Sequence, residues 1–153
     1  MARTKGAIAP RDDNFYMKLA VKEGYKAIEN HAGKPFGAVV VKDGHVVGKG
    51  YDKTLLSPSV ANHAIMIALD RTYKALCTND LSGCIVYTTA EPCLMCYGAC
   101  LNAHIDSIIY STVESSMAGC NYSEQRTGAI KVNEYTLDNY DCKVLMADYL
   151  AKR

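Results

Sequence analysis

The chain has 153 residues, 49% of them hydrophobic and 22% charged, values that suit one folded domain with its own core and exclude disorder or a fibrous repeat. Seventeen basic against sixteen acidic side chains leave a net charge of +1. That balance removes the electrostatic ground for holding a long nucleic-acid duplex, though not for a small base, a nucleoside or one RNA loop.

Residues 1–11 are polar, contain Pro10 and lack periodicity, which reads as a mobile N-terminal arm ahead of a single domain over 12–153. Asp12-Asp13-Asn14 offers helix caps before Phe15, Leu19, Ala20, Ala27 and Ile28, a stripe at helical spacing. This helix is expected to end near Gly33, with Pro35 as a stop. Phe36-Gly37-Ala38-Val39-Val40-Val41, then Asp43-Gly44, then His45-Val46-Val47 form the strongest short hairpin signal a sequence carries.

Residues 52–61, with Ser57-Pro58-Ser59, read as a loop, and Asn62 to Ala75 as a helix. Cys84-Ile85-Val86-Tyr87-Thr88 predicts a buried strand, residues 93–103 a helix after Pro92, and Ile105–Tyr110 another strand. The stretch 113–129 is rich in Ser, Gly and Asn and carries no clear element. A strand near Ile130–Leu137 and a helix from about Asp138 close the chain. Strands and helices alternate through the second half, which predicts a three-layer α/β domain whose crossovers make part of the sheet parallel.

The first residues lack the apolar stretch of a signal peptide, and no apolar run nears the roughly 20 residues of a membrane span. Seven cysteines, an odd number, do not close into a disulfide set. Reduced thiols in a cytoplasmic compartment are the expectation, which leaves sulfurs available for a metal.

Two segments carry the chemistry: Asn62-His63-Ala64-Ile65-Met66 and Glu91-Pro92-Cys93-Leu94-Met95-Cys96. A Cys-x-x-Cys at a helix start puts two sulfurs on one face, and the helix N-terminus favours thiolates. The pair alone also reads as two buried cysteines or a redox couple, and His63 alone reads more often as a helix histidine than as a ligand. Together the three donors make a half-open tetrahedral zinc site, with the fourth position left for water.

Read together, His63-Ala64-Ile65, a spacer and Pro92-Cys93-Leu94-Met95-Cys96 resemble the signature of zinc-dependent deaminases of the cytidine deaminase superfamily. The hairpin Phe36–Gly44 and Thr89–Cys96 resemble its guanine, cytosine and tRNA-adenosine branch, and the similarity spans about residues 14–150. The resemblance implies an α/β/α cytidine deaminase-like fold with a central mixed five-stranded sheet, and Zn2+ held by His63, Cys93 and Cys96. It implies hydrolytic removal of an exocyclic amine from a nucleobase, nucleoside or tRNA base by zinc-activated water. It also implies Phe36, Ala64 and Asp52 at the substrate and a homodimer.

The motif glutamate, the general acid and base of that reaction, is replaced here by Ile65, which carries no proton. Loss of such a group costs on the order of 10²–10⁴ in rate. Residues His63–Asp70 also resemble the helix of the silent subunit of eukaryotic tRNA wobble-adenosine deaminases, which keeps the metal ligands beside an aliphatic residue. The alternative to an enzyme is therefore a silent subunit, paired with an active paralogue, or a base-binding protein. Asp52 stands where the family usually has asparagine, and an ionised carboxylate accepts without donating. Glu114 lies where some relatives place a second acidic residue and is a candidate substitute proton carrier. Cys100 reads as core, Cys77, Cys84, Cys120 and Cys142 as small packed apolar residues, and His31, His45 and His104 as surface or strand-end histidines.

Overall fold

The computed structural model describes residues 13–112, 131–134 and 140–152. Among them, helix α1 (Asp13–Glu29) leads into strands β1 (Gly37–Lys42) and β2 (His45–Tyr51). Helix α2 (Ala64–Leu76), strand β3 (Cys84–Ala90), helix α3 (Leu94–Ala103), strands β4 (Ser107–Thr112) and β5 (Lys131–Glu134), and helix α4 (Tyr140–Lys152) follow. The stretch 113–129, Glu114 and Cys120 within it, lies outside the described residues.

The sheet runs β2-β1-β3-β4-β5, with β1 antiparallel to β2 and β3, and β3-β4 and β4-β5 parallel. It is the mixed sheet that the alternating second half predicts. The Asp43-Gly44 turn has both residues at positive φ, 51° and 81°, the type I′ geometry whose twist matches the flanking strands. A bulge follows where Val40 pairs with Gly48 but Val41 with Val46.

Strand β1 is an unbroken apolar run because both its faces are covered. Ala38 and Val40 join Val86 and Ile108 against α2 and α3. Val39 and Val41 join Tyr87 against α1 and α4. Each cluster collects the alternate residues of neighbouring strands, as a period of two demands.

Gly48 and Gly50 of β2 let α2 lie directly on the strand. A Cβ at Gly50 would stand 2.9 Å from both the Ala64 carbonyl oxygen and the Ala68 nitrogen. This close approach sets the height of the α2 N-terminus above the sheet, and with it His63.

The helix ends differ from expectation. Helix α1 stops at Glu29 rather than near Gly33: His31 adopts φ 51°, and Ala32 N–H donates to Ala27 O at 2.9 Å while His31 N–H donates to Ile28 O at 3.1 Å. That is a Schellman closure with histidine in the left-handed position glycine usually takes. His104 at φ 67° closes α3 in the same pattern. Cys77 closes α2 at φ 52° and is exposed, its S–H donating to Lys74 O at 3.6 Å. The expectation that Cys77 packs as an apolar residue is thus corrected, because the cap geometry turns it outward. Cys84, Cys100 and Cys142 are buried as expected.

Candidate metal centre

Both metal-ligand candidates outside the helical body sit at caps. His63 is the N-cap of α2 (φ −75°, ψ 156°) and Cys93 the N-cap of α3 (φ −74°, ψ 172°). Neither side chain makes a capping hydrogen bond; the Cys93 thiol meets Cys96 one turn along. Their carbonyls start the helices instead, accepting from Ile67 N–H at 3.1 Å and Tyr97 N–H at 2.9 Å. Neither is committed to capping its helix, and Cys96, one turn along α3, adds the third donor.

His63 Nδ1 lies 3.5 Å from Cys93 Sγ and 3.4 Å from Cys96 Sγ. Among the described residues these three form the one His/Cys/Asp/Glu group able to hold a metal ion, with all donor atoms within 4.8 Å. Zinc at about 2.3 Å from sulfur and about 2.0 Å from nitrogen, at tetrahedral angles, requires a nitrogen–sulfur separation of about 3.5 Å. The observed spacings meet it, so the residues present fit zinc.

The electrostatics agree. The hydrogen bond from Cys96 draws the Cys93 thiol down to about 4, aided by His63 and opposed by burial. The same hydrogen bond, with burial, pushes Cys96 well above the usual thiol range. His63 is raised, chiefly by its hydrogen bond to Cys93. One sulfur is thus already an anion at neutral pH, held beside an imidazole at the positive ends of two helices.

A cavity of about 500 Å³ opens over the three donors. Asp52, Phe36, Ala64 and Ile65 all line it, so every described residue expected at the site comes together there. Ile65 is 3% exposed and belongs to the core cluster as well as the cavity wall. No proton-carrying group stands at that position. Cys100 is fully buried, with its thiol pushed up to about 12 by burial, and lies outside the donor group.

Asp52 closes a local turn and also lines the cavity. Its Oδ1 accepts from Thr54 N–H at 2.9 Å and from Thr54 Oγ1 at 2.7 Å, a local turn, while the residue faces the cavity. Lys34, Thr54 and Val60 also line the cavity and were not anticipated. Asp-x-Thr is an Asx-turn pattern that points to Thr54; Lys34 and Val60 carry no local signal.

A family model described as the cytidine and deoxycytidylate deaminase zinc-binding region matches residues 10–112. The chain is 31% identical over 105 residues to a tRNA-specific adenosine deaminase of Aquifex aeolicus, covering 69% of each chain. It is 32% identical over 109 residues to a guanine deaminase of Bacillus subtilis, covering 71% of this chain and 70% of that one. A chain solved in a study of A-to-I editing by tRNA:A34 deaminases at the transfer RNA wobble position superposes with a TM-score of 0.71 at 29% identity. That match covers 80% of this chain and 98% of the other. Among the described residues no helix is long and apolar enough to cross a membrane.

Proposed function

The chain belongs to the cytidine and deoxycytidylate deaminase zinc-binding family, and from that membership we propose that it is a zinc-holding, base-binding protein whose own turnover is weak. One observation carries the reading: Ile65, two residues beyond His63, is buried on the cavity wall and has no proton to exchange.

His63, Cys93 and Cys96 would hold the ion. Bound there, zinc supplies Lewis acidity toward an oxygen or nitrogen of the ligand. Backbone N–H groups in the first turn of α3 orient an electronegative atom at the cavity floor. Phe36, Ala64 and Ile65 give the ring an apolar wall and exclude water from it. With the three donors committed to the ion, proton movement falls to the carboxylates of the cavity, Asp52 and Glu91. The ligand class assigned is a nucleobase or nucleoside, free or in a tRNA loop, supported by relatives named for tRNA adenosine and guanine.

A second reading, slow hydrolysis with Asp52 carrying the proton, is favoured by the burial of Asp52 within the same cavity. We read residues 12–153 as one three-layer α/β/α domain, supported by the two apolar clusters that share alternate residues of the same strands. Pairing with an active paralogue, rather than with itself, is supported by the aliphatic residue at 65.

The test is zinc-loaded full-length protein with cytosine, guanine, adenosine and a tRNA anticodon stem, scored for binding and for ammonia release. Saturable binding with ammonia at the buffer level is expected. Release at an ordinary enzymatic rate, about 1 per second or faster, overturns the reading and moves the assignment to the second one.

A further inference from the structure

Cys93-Leu94-Met95-Cys96 reads as a redox couple as well as a metal pair, and holding an ion leaves that second chemistry unused. The backbone permits it. The Cα separation of two residues three apart depends only on the two residues between them. Leu94 and Met95 are helical, so Cys93 and Cys96 stand about 5 Å apart, inside the span of about 4.4–6.8 Å that a disulfide bridges. Cys93 is the N-cap of α3, and its ψ of 172° swings the side chain over the first turn, where an N-cap side chain meets the third helical residue. That residue is Cys96. The two sulfurs lie within 4.8 Å of each other and are in hydrogen-bond contact, so a bridge needs side-chain rotation and no movement of α3.

The other described cysteines are worse placed. Cys100 follows Cys96 by four residues inside the helix, where Cβ atoms stand about 5–6 Å apart, beyond the about 3.5–4.5 Å of a disulfide. Cys84 begins β3 and Cys142 lies in α4, both buried. Cys77 is exposed at the opposite end of α2 from His63. Of the described cysteines, Cys93 and Cys96 alone line the cavity over the metal donors. Its volume of about 500 Å³ readily admits a hydrogen peroxide molecule, little larger than a water at about 30 Å³. The pair is thus reachable by a small oxidant while most of its surface stays covered.

We propose that Cys93 and Cys96 are also a dithiol–disulfide pair, and that a peroxide entering through the cavity closes the bridge between them and expels the zinc. One thiolate attacks a peroxide oxygen, the O–O bond breaks, hydroxide leaves and the sulfur becomes a sulfenic acid. The second sulfur displaces that hydroxyl and forms the S–S bond. The two sulfurs give up two electrons, which reduce one hydrogen peroxide to two waters with two protons taken from solvent, and Zn2+ is released with its charge unchanged. Because the second sulfur is already in contact, bridging outruns a second attack by peroxide. Of the three donors only His63 remains, too few to hold the ion. The inference stands apart from the base-binding reading, since it needs the metal and the two sulfurs alone.

The experiment adds hydrogen peroxide to zinc-loaded full-length protein and follows released metal with a chromogenic chelator, beside peptide mass spectrometry of every cysteine. One zinc is expected to be released per Cys93–Cys96 bridge, the bridged peptide being lighter by two hydrogens. Dithiothreitol with added zinc is expected to reopen the bridge and restore one zinc per chain. Cys77→Ser and Cys100→Ala remove the exposed thiol and the alternative partner, and both are expected to leave that stoichiometry as it is in the parent. The parent alone supplies the decisive measurement should either variant fail to fold. Zinc retained while peroxide oxidises Cys77 overturns the inference. So does release accompanied by sulfinic acid at Cys93 or Cys96, by a Cys96–Cys100 bridge, or without recovery in dithiothreitol. Reduced protein that holds no zinc before peroxide is added removes the metal assignment and this inference with it.

Discussion

Ile65→Glu places a carboxylate on the cavity wall two residues beyond His63. The parent side chain is 3% exposed and packed in the core cluster, and full burial of an isoleucine is worth about 1.5–3 kcal/mol. Glutamate keeps its stem against the same neighbours and turns its head into a cavity of about 500 Å³, where water or ligand can solvate it. The expected stability loss is therefore about 1–2 kcal/mol, or about 2–8 °C in Tm for a domain of this size. Against that loss, a positioned acid and base is worth about 10²–10⁴ in rate, about 3–5 kcal/mol of barrier at 1.36 kcal/mol per decade. The assay is ammonia release from cytosine, guanine, adenosine and a tRNA anticodon stem, parent beside variant at matched zinc content. A variant that folds, holds one zinc per chain and still releases no more ammonia than the parent on every substrate refutes the reasoning, because the missing proton carrier would then not be what limits turnover.

Four further outcomes follow from the packing and the titrations. Gly50→Ala drives a Cβ into the α2 backbone and is expected to cost about 1–3 kcal/mol in urea unfolding, with weaker zinc retention because His63 moves with the helix. Gly98→Ala, where an added Cβ meets nothing within 4 Å, is expected to stabilise α3 by about 0.5–1 kcal/mol, and a loss of stability there would contradict the packing described. Tyr25 donates to Asp148 at 2.7 Å, and burial, with that hydrogen bond, raises its phenol to about 12. The unfolded chain releases this proton first, so stability is expected to fall as pH rises from about 10 to about 12, with a smaller fall in Tyr25→Phe. In chelator-treated protein the Cys93 thiol, drawn down to about 4, is expected to alkylate at a rate nearly independent of pH between 6 and 8, read by peptide mass spectrometry; a tenfold rise per pH unit would show an ordinary thiol.

The metal centre was legible because its determinants are local. Three donors at two helix starts follow from the short segments His63–Met66 and Glu91–Cys96, and the hairpin follows from Asp43-Gly44 alone. The helix ends were less legible. Glycine is the usual left-handed cap, so Gly33 drew the end of α1 toward itself, whereas His31 carries the cap and Gly33 serves as the floor beneath Asp52. Cys77 was misjudged for the same reason: a free thiol usually packs as a small apolar group, but the left-handed cap conformation points this one at solvent. Lys34 and Val60 reach the cavity only through the tertiary return of two loops, and a contact between distant segments leaves no periodicity to read. The setting of the Asp52 carboxylate depends on how Thr54 and Gly33 surround it, which residue identity alone does not fix.

His63 and Cys93 stand on the thresholds of their helices, whereas Ile65 is already two steps inside one. Anchorage of an ion and transfer of a proton are thus written into separate positions of the same short stretch. A lineage with this architecture can silence its reaction by changing one codon while the scaffold and its gripping atoms stay intact. Loss of catalysis need not be decay, since it leaves behind a shaped receptor that selection can put to other use.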